Sequence, residues 1–162
     1  MLNNTGLDIF ISVCLKYVNL NAVRYEMEED SLMLEFACNG SLSLDDQNQF
    51  IEYIEGSLYL FHKLGNIKSD NHKFVFREVQ DITLIRIMMD LHLTSAQEID
   101  LIIQLTQEYF NDKMMLDNEK LDVESDFTRQ VKNNLLRKLS QESRPLSFVA
   151  YRQQGRVVVF HQ

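Results

Sequence analysis

The chain has 162 residues, of which 45% are hydrophobic and 25% charged, with one proline and five glycines. This composition is typical of one compact soluble domain and argues against disorder and long linkers. The formal net charge of −8 disfavours general binding to nucleic acid. No apolar run is long enough to span a membrane, and the N-terminus lacks the basic stretch of a signal peptide. We therefore predict a cytoplasmic protein, without membrane association, that forms a single domain over residues 1–162.

The first predicted helix spans residues 5–19. At helical spacing its apolar side chains cover an arc of roughly 240°, whereas a surface helix needs a stripe of only about 100°. We therefore expect the helix to bury one side on its own core and to offer the other to a partner. Phe10, Val13 and Tyr17 lie on this wide arc and are the predicted partner-binding residues of the helix.

The next stretch, residues 22–36, alternates apolar and polar side chains on both sides of Glu29-Asp30, which predicts a β-hairpin ending near Asn39-Gly40. A helix is then predicted over residues 44–64. Ser43 with Asp46 is typical of an N-cap, and Gly65 of a helix stop. The apolar side of this helix is predicted to hold Phe50, Ile51, Tyr53, Ile54, Leu58, Leu60, Phe61 and Leu64, with His62 on the opposite, polar side.

Residues 72–93 predict two further strands that fold back at Gln80-Asp81. The second of these strands carries apolar residues on both faces. A strand of this kind is covered on both sides or exposes one face to a partner. Leu84, on this strand, is therefore another predicted partner-binding residue.

The remainder of the chain predicts a helix over residues 95–112, a helix over about 122–139, and a hairpin over 147–160 that follows Pro145. The complete order is α-β-β-α-β-β-α-α-β-β. This order indicates an α+β fold, in which helices pack on an antiparallel sheet of two or more hairpins.

Few residues suggest chemistry. Asp90 and His92 have a spacing used by metal sites, but no third ligand stands in a recognisable frame, and we interpret them as the end of a strand. Cys14 and Cys38 lack the CxxC spacing of a zinc cluster; two buried thiols are expected, with one disulfide as the alternative. No nucleophile or phosphate-binding motif is present. We predict no catalytic residue, no metal site and no cofactor.

Charge is distributed unevenly along the chain. Residues 1–70 hold 4 basic and 11 acidic side chains, a balance of −7, whereas residues 127–162 hold 7 basic and 1 acidic, a balance of +6. A helix dipole favours bases near a helix C-terminus, which accounts for part of this pattern. The alternative hypothesis is a regulatory protein that binds nucleic acid or another polyanion through this basic surface, whose central residues are Arg129, Lys132, Arg137 and Lys138.

The stretch "KFVFREVQDITLIRIMMDLHLTSAQEIDLIIQLTQEYF" resembles the closing strand–strand–helix of the type III secretion chaperones and the related YbjN-type domains. The order of the preceding helix, hairpin and helix also agrees, so the resemblance covers residues 5–112. The helix and hairpin of residues 120–162 form an appendix to this core. The resemblance implies a non-enzymatic bacterial homodimer, linked to secretion, that holds an extended segment of a partner protein on its first helix and exposed sheet face.

Overall fold

The computed structural model describes residues 5–17, 20–66, 72–115, 147–153 and 156–161. The predicted helix over 122–139, with its basic residues Arg129, Lys132, Arg137 and Lys138, lies outside these ranges. The described elements are α1 (Thr5–Lys16), β1 (Ala22–Glu26), β2 (Ser31–Asn39), α2 (Leu44–Gly65), β3 (Lys73–Val79), β4 (Ile82–Asp90), α3 (Ala96–Phe110), a short 3₁₀ helix (Asn111–Lys113), β5 (Ser147–Gln153) and β6 (Arg156–His161).

The six described strands form one sheet in the order β3-β4-β2-β1-β5-β6, and every neighbouring pair is antiparallel. Three consecutive hairpins therefore lie side by side. The α+β class and the antiparallel sheet of hairpins are confirmed. The C-terminal hairpin, which the sequence analysis set apart from the core, joins the same sheet because β5 pairs with β1.

The turns lie where the sequence predicts them. Asp30 closes the β1–β2 turn and Gln80 the β3–β4 turn, both with positive φ. Gly40, just after β2, has a φ of +91°, which a residue with a Cβ rarely adopts. Its carbonyl accepts a hydrogen bond from the Thr83 hydroxyl at 2.7 Å, which ties the end of β2 to β4.

The three described helices pack on one face of the sheet, which we call the inner face. The Phe10 ring of α1 lies against Tyr25 and Phe148, 6.2 and 6.0 Å away between ring centroids. The Phe50 ring of α2 meets Phe74, Phe76 and Phe110. Burying these rings removes a large apolar area from water and supplies most of the driving force for folding. One continuous core therefore lies between the helices and the inner face.

Helix α1 buries more of its surface inside the chain than predicted. Phe10 is fully buried, and Val13 retains only 4% exposure. The second wall comes from β5, whose Phe148 meets Phe10 on the inner face. The chain's own C-terminal hairpin thus covers the Phe10 part of the apolar arc. Lys16 and Tyr17 contact Asp100 of α3. The helix ends at Lys16, three residues before the predicted end.

Helix α2 matches its predicted bounds within one residue and begins with the expected capping box between Ser43 and Asp46. Its buried side differs from the prediction. Four residues at a spacing of four are buried: Phe50, Ile54, Leu58 and His62. Leu60 and Leu64, predicted on the apolar side, are 58% and 89% exposed. The correction has a chemical cause, because His62 is paired with a buried carboxylate.

Cys14 and Cys38 are both free and buried, as expected. Burial raises the pKa of the Cys38 thiol to about 11, while the nearby charge of Lys113 acts in the opposite direction. A thiol of this kind stays protonated and unreactive at neutral pH. Within the described ranges, no helix is both long and apolar enough to cross a membrane.

Candidate functional site

The outer face of the sheet, opposite the described helices, carries a group of partly exposed apolar and exposed charged side chains. Residues paired across neighbouring strands point to the same face. The pairs Lys73–Met88, Met88–Met33 and Met33–Arg24 therefore form one row across β3, β4, β2 and β1. We call this the methionine row. Two flexible thioether side chains lie at its centre, with one cation at each end.

A cavity of about 530 Å³ opens over the methionine row. Its size falls within the range of small-ligand and side-chain pockets. Methionines adapt to irregular apolar shapes, so this floor suits an apolar group without demanding one shape. The lining consists of apolar side chains surrounded by charged and polar ones: Arg24, Glu26, Glu29, Ser31, Leu32, Met33, Lys73, Met88, Met89 and Asp90.

The charges around this cavity are not equally satisfied. Glu26 accepts a hydrogen bond from the Ser147 hydroxyl at 2.8 Å, and Asp90 accepts one from the His92 backbone N–H at 2.8 Å. By contrast, no carboxylate among the described residues lies within ion-pairing distance of Arg24 or Lys73. The two cations at the ends of the methionine row are thus free to meet a negatively charged group.

A buried ion pair lies beside the methionine row. Arg86 Nε donates to Glu35 Oε2 at 2.6 Å, and Asn21 Nδ2 donates to Glu35 Oε1 at 2.7 Å. The Glu35 side chain is almost fully buried, so each carboxylate oxygen has a donor that compensates for lost water. These bonds connect β2 to β4 and to Asn21, the residue just before β1, and they hold the neighbouring strands in register.

The structure separates the four predicted partner-binding residues. Leu84 is partly exposed on the outer face, on the same strand and face as Met88. Phe10 and Val13 lie in the inner core and cannot meet a partner from outside in this conformation. Tyr17 is partly exposed on the helix side, where its hydroxyl donates to Asp100. Burial, followed by that hydrogen bond, raises the pKa of Tyr17. Only Leu84 therefore belongs to the outer surface.

Sequence reasoning missed a second polar group, which we call the histidine–glutamate cluster. His62 Nε2 lies 2.6 Å and His72 Nε2 3.2 Å from the same Glu98 oxygen, Oε1. All three side chains are at least 95% buried. With both Nε2 atoms donating to Glu98, each Nδ1 is left without a hydrogen-bond partner. No local motif marks this cluster, because its members come from α2, the start of β3 and α3.

The histidine–glutamate cluster lies in the protein interior and does not line the cavity. Glu98 stands in the first turn of α3, where the helix dipole favours a negative charge, and its backbone N–H is capped by Ser95. A buried group of this kind fixes how α2, α3 and β3 meet. No set of three or more His, Cys, Asp or Glu side chains in the described part of the chain is arranged to hold a metal ion.

Asp90 and His92 occupy the end of β4. The Asp90 carboxylate accepts from the His92 backbone N–H, which is turn geometry. The His92 ring is largely exposed, and its Nε2 lies 3.6 Å from Asp30 Oδ2. Leu91 packs against the core, whereas Leu93 is exposed rather than buried. This arrangement connects the β4–α3 turn to the β1–β2 turn.

Together these features define the class of the fold, which is α+β. In the described ranges, helices lie on one face of an antiparallel sheet and a charged, methionine-floored cavity lies on the other. No protein-family model, no curated protein sequence and no solved structure matches the chain.

Proposed function

We propose that this protein is a non-enzymatic, chaperone-like binding module of the cytoplasm that holds an extended segment of a partner protein on the outer face of its sheet. The observation that carries the proposal is the cavity over the methionine row, on the face that none of the described helices covers. Alternate side chains of an extended chain point to the same side, so a segment that lies over this face can direct one of them into the cavity.

Several neighbouring side chains support the choice of a peptide-like ligand. Val75, Val79 and Leu84 add apolar surface on the same outer face, and all three are exposed or partly exposed. These residues lie along β3 and β4 beyond the pocket, and the charged side chains of Arg77 and Arg86 lie among them. An apolar floor with a polar margin resembles a protein–protein interface more than a closed metabolite site.

The experiment for this proposal compares three forms of the full-length protein as bait in a native lysate. Wild type should capture a partner, which mass spectrometry identifies, and Met88→Glu should lose it because a charge replaces the apolar floor. Leu44→Glu is the matched control, since Leu44 is an exposed apolar residue at the start of α2, away from the cavity. Circular dichroism of all three checks the fold. Equal capture by wild type and Met88→Glu would contradict the proposal.

The proposal includes a homodimer formed through α2. Tyr53, Leu60 and Leu64 are exposed and lie within about 40° of one another around the helix, so they form a continuous apolar stripe. The N-terminal half of α2 is acidic, with Asp45, Asp46, Glu52 and Glu55, and its last turn holds Lys63. Antiparallel pairing of two copies of α2 would bring each acidic half close to the other copy's Lys63.

Light scattering behind a sizing column tests the dimer directly. Wild type should elute with twice the 19.1 kDa chain mass, and Leu60→Glu should elute with the chain mass itself. Leu44→Glu should remain dimeric. A wild-type monomer at micromolar concentration would remove the dimer from the proposal while leaving the outer-face binding site in place.

A further inference from the structure

We infer that the partner segment carries an acidic residue, an apolar residue two positions later and a second acidic residue two positions after that. The inference rests on the proposed function and specifies the chemistry of its ligand. It is carried by Arg24 and Lys73 at the two ends of the methionine row, which have no carboxylate of the described ranges within ion-pairing distance, with Met33 and Met88 between them.

The spacing follows from the strand order. Lys73 lies on β3 and Arg24 on β1, and three strand-to-strand steps separate these strands. At about 4.8 Å per step the two Cα atoms are roughly 14 Å apart. An extended chain advances about 3.3 Å per residue, so residues four apart are separated by roughly 13 Å. Side chains two and four positions apart also point to the same side of an extended chain.

A segment that crosses the strands at a steep angle can therefore place one carboxylate at each cation. The apolar side chain midway between them then enters the cavity above Met33 and Met88. The strands of two sheets packed face to face cross at near right angles in orthogonal packings, so such a crossing angle is sterically accessible. The distance between Arg24 and Lys73 matches the distance between residues four positions apart in an extended chain. This match is the reason for expecting acidic residues at that separation.

The other charges of the cavity limit where such a segment can lie. Glu26, Glu29 and Asp90 line the cavity beside the methionine row. A carboxylate displaced along the strands toward these residues would meet like charges. The acidic residues of the cavity thus disfavour a segment shifted along the strands, and Arg24 and Lys73 favour a segment aligned with the methionine row. Attraction at one row and repulsion beside it give specificity beyond apolar contact.

The test uses full-length protein and fluorescein-labelled seven-residue peptides, with binding measured by fluorescence anisotropy at low ionic strength. The first peptide has glutamates at its second and sixth positions and leucine at its fourth. The second peptide replaces both glutamates by lysine, and the third moves both glutamates next to the leucine. Wild type should bind the first peptide about tenfold more tightly than the second, since exposed ion pairs are each worth a few-fold in affinity. The third should fall between them.

Charge reversal of the protein provides the decisive variant. Arg24→Glu combined with Lys73→Glu should reverse the preference, so that the lysine peptide binds more tightly. Lys113→Glu is the matched control, because Lys113 is an exposed lysine of the 3₁₀ helix that does not line the cavity, and it should leave the preference unchanged. Urea unfolding of each variant shows that the fold persists. A wild-type protein with no charge preference, or a preference that survives the double reversal, would overturn the inference.

The outcomes also separate this inference from the proposed function. Leucine-dependent binding that Met88→Glu abolishes, without any preference between glutamate and lysine peptides, keeps the outer-face site and removes the acidic pattern. Binding of none of the peptides at millimolar concentration also overturns the pattern, and the lysate capture then decides the proposed function independently.

Discussion

The two faces of the sheet each bury one glutamate, but they satisfy it in different ways. On the inner side, Glu98 accepts from two histidine rings through a single oxygen. On the outer face, each oxygen of Glu35 has its own donor, the Arg86 guanidinium for one and the Asn21 amide for the other. The inner cluster is sealed from solvent, whereas the Arg86 side chain remains about one-third exposed.

This difference shows where the molecule uses its polar groups. Inside, the histidine–glutamate cluster fixes the packing of the helices on the sheet. Outside, the Glu35–Arg86 pair holds the strands together, and Arg24 and Lys73 lie beside an apolar floor with no carboxylate from the described part of the chain in ion-pairing distance. We therefore expect changes on the inner face to alter mainly stability and changes on the outer face to alter mainly binding.

The largest expected effect comes from removing the inner carboxylate. Glu98→Ala leaves two buried imidazole N–H groups without their shared acceptor, and each buried donor left unsatisfied typically costs about 1–3 kcal/mol. We expect the free energy of unfolding, measured by urea denaturation, to fall by about 4 kcal/mol. Glu98→Gln is the control, because its amide oxygen still accepts a hydrogen bond, and it should lose less. A loss below about 1 kcal/mol for Glu98→Ala would show that the cluster does not hold the helices.

Substitutions at two neighbouring residues of β4 allow the packing of the two faces to be compared directly. Ile87 is fully buried on the inner face, and Met88 is partly exposed on the outer face. Ile87→Ala should lower the free energy of unfolding by about 3 kcal/mol through lost burial and the cavity it leaves. Met88→Ala should cost about 1 kcal/mol or less. Equal losses from the two substitutions would mean that the outer face is packed as tightly as the inner one.

Unfolding at alkaline pH tests the inner face, because it buries two groups that lose a proton at high pH, the Cys38 thiol and the Tyr25 hydroxyl. The pKa of Cys38 is raised from 9.0 to about 11, chiefly by burial, and burial also raises the pKa of Tyr25. A raised pKa favours the protonated form in the folded state, so this stabilisation is complete below about pH 9. It is lost as the pH rises toward 11, by about 2 kcal/mol for Cys38.

Urea unfolding at a series of pH values from neutral to 11 measures this loss. Cys38→Ala should flatten the decline between pH 9 and 11, although its stability at neutral pH will be lower. Tyr25→Phe should change the decline in the free energy of unfolding only above about pH 10, which is the ordinary pKa of tyrosine. An unfolding free energy that stays constant up to pH 11 would contradict the burial of the Cys38 thiol.

The local patterns of the sequence predicted the described elements well, because caps, turns and alternation act over a few residues. Ser43 with Asp46 marked the start of α2, and Gln80-Asp81 marked the turn between β3 and β4. The covering of α1 could not be predicted in this way. Phe148, which closes over Phe10, comes from a hairpin far along the chain that joins the sheet only through β1.

The candidate site depended even more on long-range pairing. Leu84 was predicted from the two-faced pattern of β4, but the methionine row exists only because β4 pairs with β2, which places Met88 beside Met33. The alternation of residues within one hairpin does not specify which strand of another hairpin will lie beside it. The burial of His62 was missed for a related reason. A histidine is expected in a core only when a polar partner for it is known, and the partner here, Glu98, is 36 residues away along the chain.

The smallest expected effect concerns His92, the exposed histidine at the end of β4. Its ring is 72% exposed and lies 3.6 Å from Asp30, so the pair is weak in water, and the Asp90 turn depends on the His92 backbone rather than on its side chain. His92→Ala should therefore change the free energy of unfolding by less than about 0.5 kcal/mol and leave partner capture intact. Elemental analysis of purified protein provides a second measurement. A stoichiometric metal that disappears in His92→Ala would show that the turn has a chemical role that its geometry does not indicate.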